Sequence, residues 1–223
     1  MRLVKSYRLL FSLTFFLIVL FFIFTLYFKV LLANQKLYKM KQKTFVRPVV
    51  WVAFTTAVIL CVPLVAMQFT DEVNWTVNDF IIMAVLIFST GLGYVALSRL
   101  LPGIIHRAAI ALAVASTFLL VWANLAVGLI GSGPNTANFM YIIVLAIVVV
   151  GSFFYRAAAK GMERVMFATA LTLLLIAVVQ LVAKMYNYSG SSVTEILLVN
   201  AFFAVLYSGA GLLFRYAATK NLR

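Results

Sequence analysis

The chain has 223 residues, 65% of them hydrophobic and 10% charged, with a mean hydropathy of +1.12 and a formal net charge of +13. A soluble domain is about half apolar and about a quarter charged; no soluble fold of this length could hide so much apolar surface, so the excess must face lipid. The positive balance does not indicate nucleic acid, because the 18 Lys and Arg sit in short clusters between long apolar runs, with no basic stretch on a polar domain.

Seven uncharged apolar runs follow one another: Leu9–Phe28, Val49–Met67, Phe80–Leu97, Ala108–Ile130, Phe139–Tyr155, Val165–Ala183 and Ile196–Phe214. Each is long enough, or nearly so, to cross about 30 Å of hydrocarbon as a helix rising about 1.5 Å per residue. They are continuous apolar blocks, whereas the strands of a membrane barrel would alternate apolar and polar residues. The expected fold is therefore all-α, a polytopic transmembrane helical bundle of three tandem hairpins plus one extra N-terminal helix. Residues 1–46 hold the extra hydrophobic helix and a basic loop. Residues 47–223 form the six-helix membrane domain, divided into hairpins 47–106, 107–163 and 164–223.

The first run is rich in Phe where the others are rich in Ala and Val, and Arg2, Lys5 and Arg8 precede it. That order matches a signal-peptide start, but no small-x-small cleavage site follows. Seven spans with a cytoplasmic C-terminus would place Met1 outside. The alternative is a natural start at Met40, ahead of Lys41, Lys43 and Arg47, with residues 1–39 an upstream extension.

The loops between the later runs set the orientation. Gln68–Asp79, Gly131–Asn138 and Lys184–Glu195 contain a single basic residue, Lys184. The opposite side collects Lys36, Lys39, Lys41, Lys43 and Arg47, then Arg99 and Arg107, Arg156, Lys160 and Arg164, and finally Arg215, Lys220 and Arg223. Short loops rich in Lys and Arg stay in the cytoplasm, so loops centred on Trp75, Pro134 and Tyr188 are expected outside and the C-terminus inside.

A repeat of roughly sixty residues underlies this order. The second helix of each hairpin begins near a polar residue suited to an N-cap, Asp79, Asn138 or Thr194. Each carries a glycine further along (Gly93, Gly151, Gly211) and ends in a tyrosine followed by a basic residue. Duplication of one hairpin explains the pattern; so does the common use of Tyr and Lys as interfacial anchors.

The first outer loop is the most distinctive stretch, with Asp71, Glu72, Asn74, Trp75 and Asp79 close together. Such oxygen ligands suit a hard cation, but the spacing is not that of an EF-hand and no metal site is expected. A recognition loop for a partner competes with a structural reading: Asp79 as a cap, Trp75 as an interfacial anchor, Asp71 and Glu72 as solvated charges. Within the runs, Asn124, Gln180 and Asn200 are expected to bond between helices or to line a path. The runs contain no Asp, Glu, Lys or Arg, which argues against proton relays and ion-coupled pumping. His106, beside Arg107, reads as an interfacial anchor, and Cys61 as a small core hydrophobe. Ser89-xxx-Gly93 and Ala111-xxx-Ala115 suit close helix approach. No nucleophile–base pair, phosphate loop or metal motif is present, so neither an enzyme nor a cofactor is expected.

The stretch V-P-L-V-A-M-Q-F-T-D-E-V-N-W-T (Val62–Thr76) resembles a signature of a family of small, uncharacterised bacterial membrane proteins. L-L-V-W-A-N-L-A-V-G-L-I-G-S (Leu119–Ser132) and A-N-F-M-Y (Ala137–Tyr141) are similar to it as well, as are Gly161-Met162 and Phe167-Ala168-Thr169-Ala170. The resemblance implies six helices in a bacterial inner membrane and no assigned activity. Residues 1–39 depart from the family pattern, as do Gly133 and Pro134 where acidic residues are expected.

Two functions follow as expectations. The first is a membrane interaction or scaffold module that binds a membrane or periplasmic protein, or lipid, with anionic headgroups against its basic cytoplasmic loops. The second is a small-solute permease with a path between the hairpins.

Overall fold

The computed structural model describes residues 46–70, 73–100, 103–131, 135–156 and 158–220. The expected helix at Leu9–Phe28 lies outside the described residues, as do Asp71 and Glu72. What is described is all-α: α1 (Val46–Phe69), α2 (Val77–Ser98), α3 (Ile104–Ala126), a 3₁₀ turn (Thr136–Tyr141) running into α4 (Ile142–Phe154), α5 (Ala159–Val182) and α6 (Val193–Lys220). These make six helical spans long and apolar enough to cross a membrane.

The core forms unevenly along these helices. In their most apolar stretches α3, α5 and α6 are 39%, 44% and 39% buried, α4 is 22% buried, and α1 and α2 only 11% and 6%. The central three helices owe this to their sequence period. Buried positions on α5 step by alternating threes and fours through Met162, Met166, Thr169, Leu173, Ile176 and Gln180. Those on α6 do the same through Ile196, Asn200, Phe203, Tyr207, Ala210 and Phe214. An alternation of three and four keeps one seam facing its neighbour, as in a left-handed coiled coil.

The closest helix pairs are α5 with α6, α3 with α6, α2 with α3, and α4 with α5. The row is therefore α4, α5, α6, α3, α2, with α6 inserted between α5 and α3. Three hairpins hold as chain connectivity, but only α5–α6 is also a tightly packed hairpin. Neighbours run antiparallel: Thr117 meets Tyr207 and His106 meets Phe214 across α3 and α6. Gly211 of α6 lies against Met166 and Phe167 of α5.

The ends of the helices differ from the sequence reading. Thr76, and not Asp79, caps α2: its Oγ1 accepts from the Asp79 N–H at 3.4 Å, and the Asp79 carboxylate accepts from the Thr76 N–H at 2.7 Å. Asn135 rather than Asn138 caps the 3₁₀ turn, accepting from the Ala137 N–H. At α6 the Ser192 hydroxyl, upstream of Thr194, accepts from the Glu195 N–H at 3.1 Å. In each case the residue expected to cap is displaced inward because a better placed oxygen precedes it.

The apolar run ending at Ile130 does not stay helical. It leaves the helix at Val127, where Gly128 adopts φ 72° and its N–H bonds the Asn124 carbonyl; glycine alone takes this left-handed cap without a steric cost. Conversely, α5 starts at Ala159, six residues ahead of the apolar run, and takes in Lys160, Glu163 and Arg164.

Of the three glycines that mark the repeat, Gly151 packs against Val165 and Gly211 against α5, whereas a side chain at Gly93 would meet nothing within 4 Å. The close approach of α1 to α2 is at Gly91, against Val52. Ser89 is exposed and bonds its own helix at the Leu86 carbonyl, so Ser89-xxx-Gly93 is not a packing motif here.

Candidate functional site

At the end of the bundle where α5 stops and α6 begins, three side chains from three helices close a ring. The Gln180 amide donates to the Tyr141 hydroxyl at 3.1 Å, Tyr141 donates to Asn200 Oδ1 at 3.3 Å, and Asn200 Nδ2 donates to Gln180 Oε1 at 3.1 Å. The second proton of Asn200 Nδ2 reaches the Ile196 carbonyl at 2.9 Å. All three residues are buried, at 2% exposure or less. The seams of α5 and α6 dictate the meeting, since Gln180 and Asn200 occupy core positions in register with Met166 and Tyr207. Tyr141 sits where the 3₁₀ turn hands over to α4, which aims its ring across the end of α5.

A second set of bonds closes the loop above. Asn138 accepts at Oδ1 from the Leu129 N–H (2.9 Å) and the Ile130 N–H (2.8 Å), and donates from Nδ2 to the Ile130 carbonyl (3.3 Å). This clamp holds Ile130 fully buried, although it belongs to a loop. The adjacent Gly131 N–H donates to the Ser191 hydroxyl at 2.8 Å and so ties this loop to the one before α6.

Deeper in the bundle, the Thr117 and Tyr207 hydroxyls share a 3.0 Å bond across the α3–α6 seam. Thr117 also donates to its own helix at the Ala113 carbonyl. At the opposite end His106 is 1% exposed, edge-on to Phe214 with ring centroids 5.4 Å apart. Neither of its ring nitrogens has a hydrogen-bond partner among the described residues. The expectation of an interfacial anchor is thereby corrected: the α3 seam carries His106 inward, while Arg107 turns partly outward. Nearby, Arg215 and Glu163 approach to 3.9 Å and link α6 to α5.

The residues singled out from sequence divide accordingly. Gln180 and Asn200 come together; Asn124 does not join them. Its Nδ2 donates to the Asn138 carbonyl at 3.4 Å, and its buried Oδ1 has no partner among the described residues. In the first loop Asn74 is exposed, and Asp79 is engaged by Thr76. Trp75 packs on Phe80 with ring centroids 5.2 Å apart. A hydrophobic contact between the residue before the cap and the fourth residue of the helix is the staple that fixes a chain's entry. Trp75, Thr76, Asp79 and Phe80 therefore start α2. Cys61 is exposed on α1 and is not a core residue, because so little of α1 is covered.

Sequence reasoning missed Tyr141 and Asn138. Both lie in the A-N-F-M-Y stretch, where tyrosine reads as an interfacial anchor and asparagine as a cap. No cluster of metal-ligating side chains occurs among the described residues. Comparison with family models, curated proteins and solved structures finds no match to this chain.

Proposed function

We propose that the chain is a membrane interaction module of a bacterial inner membrane, with its C-terminus in the cytoplasm, recruiting a membrane or periplasmic protein partner. One observation carries the reading: the Tyr141–Gln180–Asn200 ring is closed on itself. A permease needs polar groups that exchange bonds with a passing solute. Here two of the three amides expected to line a path, Gln180 and Asn200, spend their bonds on each other and on Tyr141, in a site that is 2% exposed or less. Such closed polar groups fix helix register. The module reading leaves α1, α2 and the loop containing Asn74 for outside contacts, with Asp71 and Glu72 part of that loop in sequence. Anionic headgroups pair with the exposed Arg156, Lys160 and Arg164 at the other face.

The test combines purification from the native membrane after mild crosslinking with solute flux across reconstituted vesicles. The module reading expects a stoichiometric partner and no flux that depends on the ring. Flux abolished by Gln180→Leu in a variant that still folds, with no partner recovered, would transfer the assignment to a permease.

A further inference from the structure

The two ends of the α3–α6 core are built differently. At the Tyr141 end the three-membered ring joins the turn before α4 to α5 and α6, and the loop after α3 is tied to them by the three bonds of Asn138 and by the Gly131–Ser191 bond. The His106 end has no such hydrogen-bond network among the described residues; a polar link there is the 3.9 Å approach of Arg215 to Glu163, which joins α6 to α5. The seam at this end sets Ala109, Ile110 and Ala113 of α3 against Ala210, Phe214 and Ala217 of α6, and the buried imidazole of His106 has no partner for either nitrogen among the described residues. A neutral imidazole in water keeps one donor and one acceptor bonded; closing this end strips both and returns only a ring contact with Phe214. An unmet buried polar group opposes the closed arrangement and marks where energy is stored.

We propose that the bundle is hinged at the Tyr141 end and opens at the His106 end, where separation of α3 from α6 returns His106 to hydrogen-bonding surroundings. The device is a conformational one and does not depend on which partner the module recruits. It requires only that the six spans fold as described, and the experiment checks that independently. His106 opposes closure through its unmet hydrogen-bonding nitrogens, so an apolar ring in its place favours the closed form.

The experiment uses the full chain in vesicles, with Cys61→Ala and one new thiol at a time, reacted with a membrane-permeant maleimide. Ala217→Cys reports the His106 end and Ala204→Cys the Tyr141 end; both alanines are buried. Each rate is divided by the rate in unfolded protein, and retained helical circular dichroism establishes the fold. Opening at one end predicts that position 217 reacts at least about tenfold faster than position 204. It also predicts that adding His106→Phe slows position 217 by about tenfold and leaves 204 unchanged, because replacing an unmet polar group by an apolar one stabilises packing. His106→Leu gives the same ordering if the larger ring does not fit. Equal rates at the two positions, or a rate at 217 indifferent to both replacements, would overturn the proposal.

Discussion

Replacing Asn200 by leucine removes the residue that serves both its partners in the buried ring. Tyr141 loses its acceptor and Gln180 Oε1 its donor. The Ile196 carbonyl keeps its helical bond. A buried group left without a partner costs about 1–3 kcal/mol, whereas single interhelical bonds in membrane proteins are worth about 0.6–1.7 kcal/mol. The expected loss for Asn200→Leu is therefore about 1–3 kcal/mol, toward the upper end because two groups are orphaned at once. Gln180→Leu is milder, since Tyr141 can still donate to Asn200 and Asn200 to Ile196. The decisive variant is the triple one, Tyr141→Phe with Gln180→Leu and Asn200→Leu, which orphans no ring member. It should cost less than the summed single changes by at least about 2 kcal/mol, a coupling of the size found among residues in one network. Reversible unfolding in mixed micelles, followed by helical circular dichroism as denaturing detergent rises, measures each difference. Single losses that add to the triple within about 0.5 kcal/mol would mean that the three side chains do not act as a ring, and the argument for a sealed core would fall with them.

Three further outcomes follow from named contacts. Gly151→Ala places a methyl 2.6 Å from a Val165 methyl and should cost about 1–3 kcal/mol, with Val165→Ala in the same chain restoring most of it in the same unfolding assay. Thr76→Ala removes the cap of α2 and should cost about 0.5–2 kcal/mol; Asp79→Asn should cost less, and hydrogen exchange should rise at the first turn of α2 and not in α5. Asn138→Ala frees the Leu129 and Ile130 N–H groups and should expose the loop to limited proteolysis near Gly131, leaving the α5–α6 seam protected; cleavage no faster than in the parent chain would show that the clamp is dispensable.

Much of the helical layout was legible because a membrane span requires a long apolar run, and the runs from Val49 onward lie where the helices do. Their ends were less legible, for two opposite reasons. Val127–Ile130 is apolar but leaves the helix, because Gly128 permits a left-handed turn and Asn138 captures the freed N–H groups. Ala159–Arg164 is polar but helical, since Lys, Glu and Arg favour helix once they lie beyond the hydrocarbon. Gln180 and Asn200 stood out as amides in apolar surroundings. Tyr141 did not, because its role depends on the fold bringing together residues 59 apart in the chain. His106 was misread for a related reason: its neighbour Arg107 suggested an interface, while the buried stripe of α3 runs through His106 and on to Ala109 and Ala113. In the first loop the residue types invited a ligand; the geometry gives Trp75 and Asp79 the start of a helix and leaves Asn74 exposed.

The measurement that bears most directly on the account is the sidedness of its loops. In a Cys61→Ala background, single replacements Asn74→Cys, Tyr188→Cys and Lys160→Cys put one thiol in the loop before α2, in the loop before α6 and near the start of α5, all at exposed positions. A membrane-impermeant thiol reagent applied to intact spheroplasts should label 74 and 188 within minutes and should reach 160 only after the membrane is opened. Labelling of 160 in intact spheroplasts would contradict the cytoplasmic placement of that loop, and protection of 74 while 188 reacts would contradict the six-span arrangement itself.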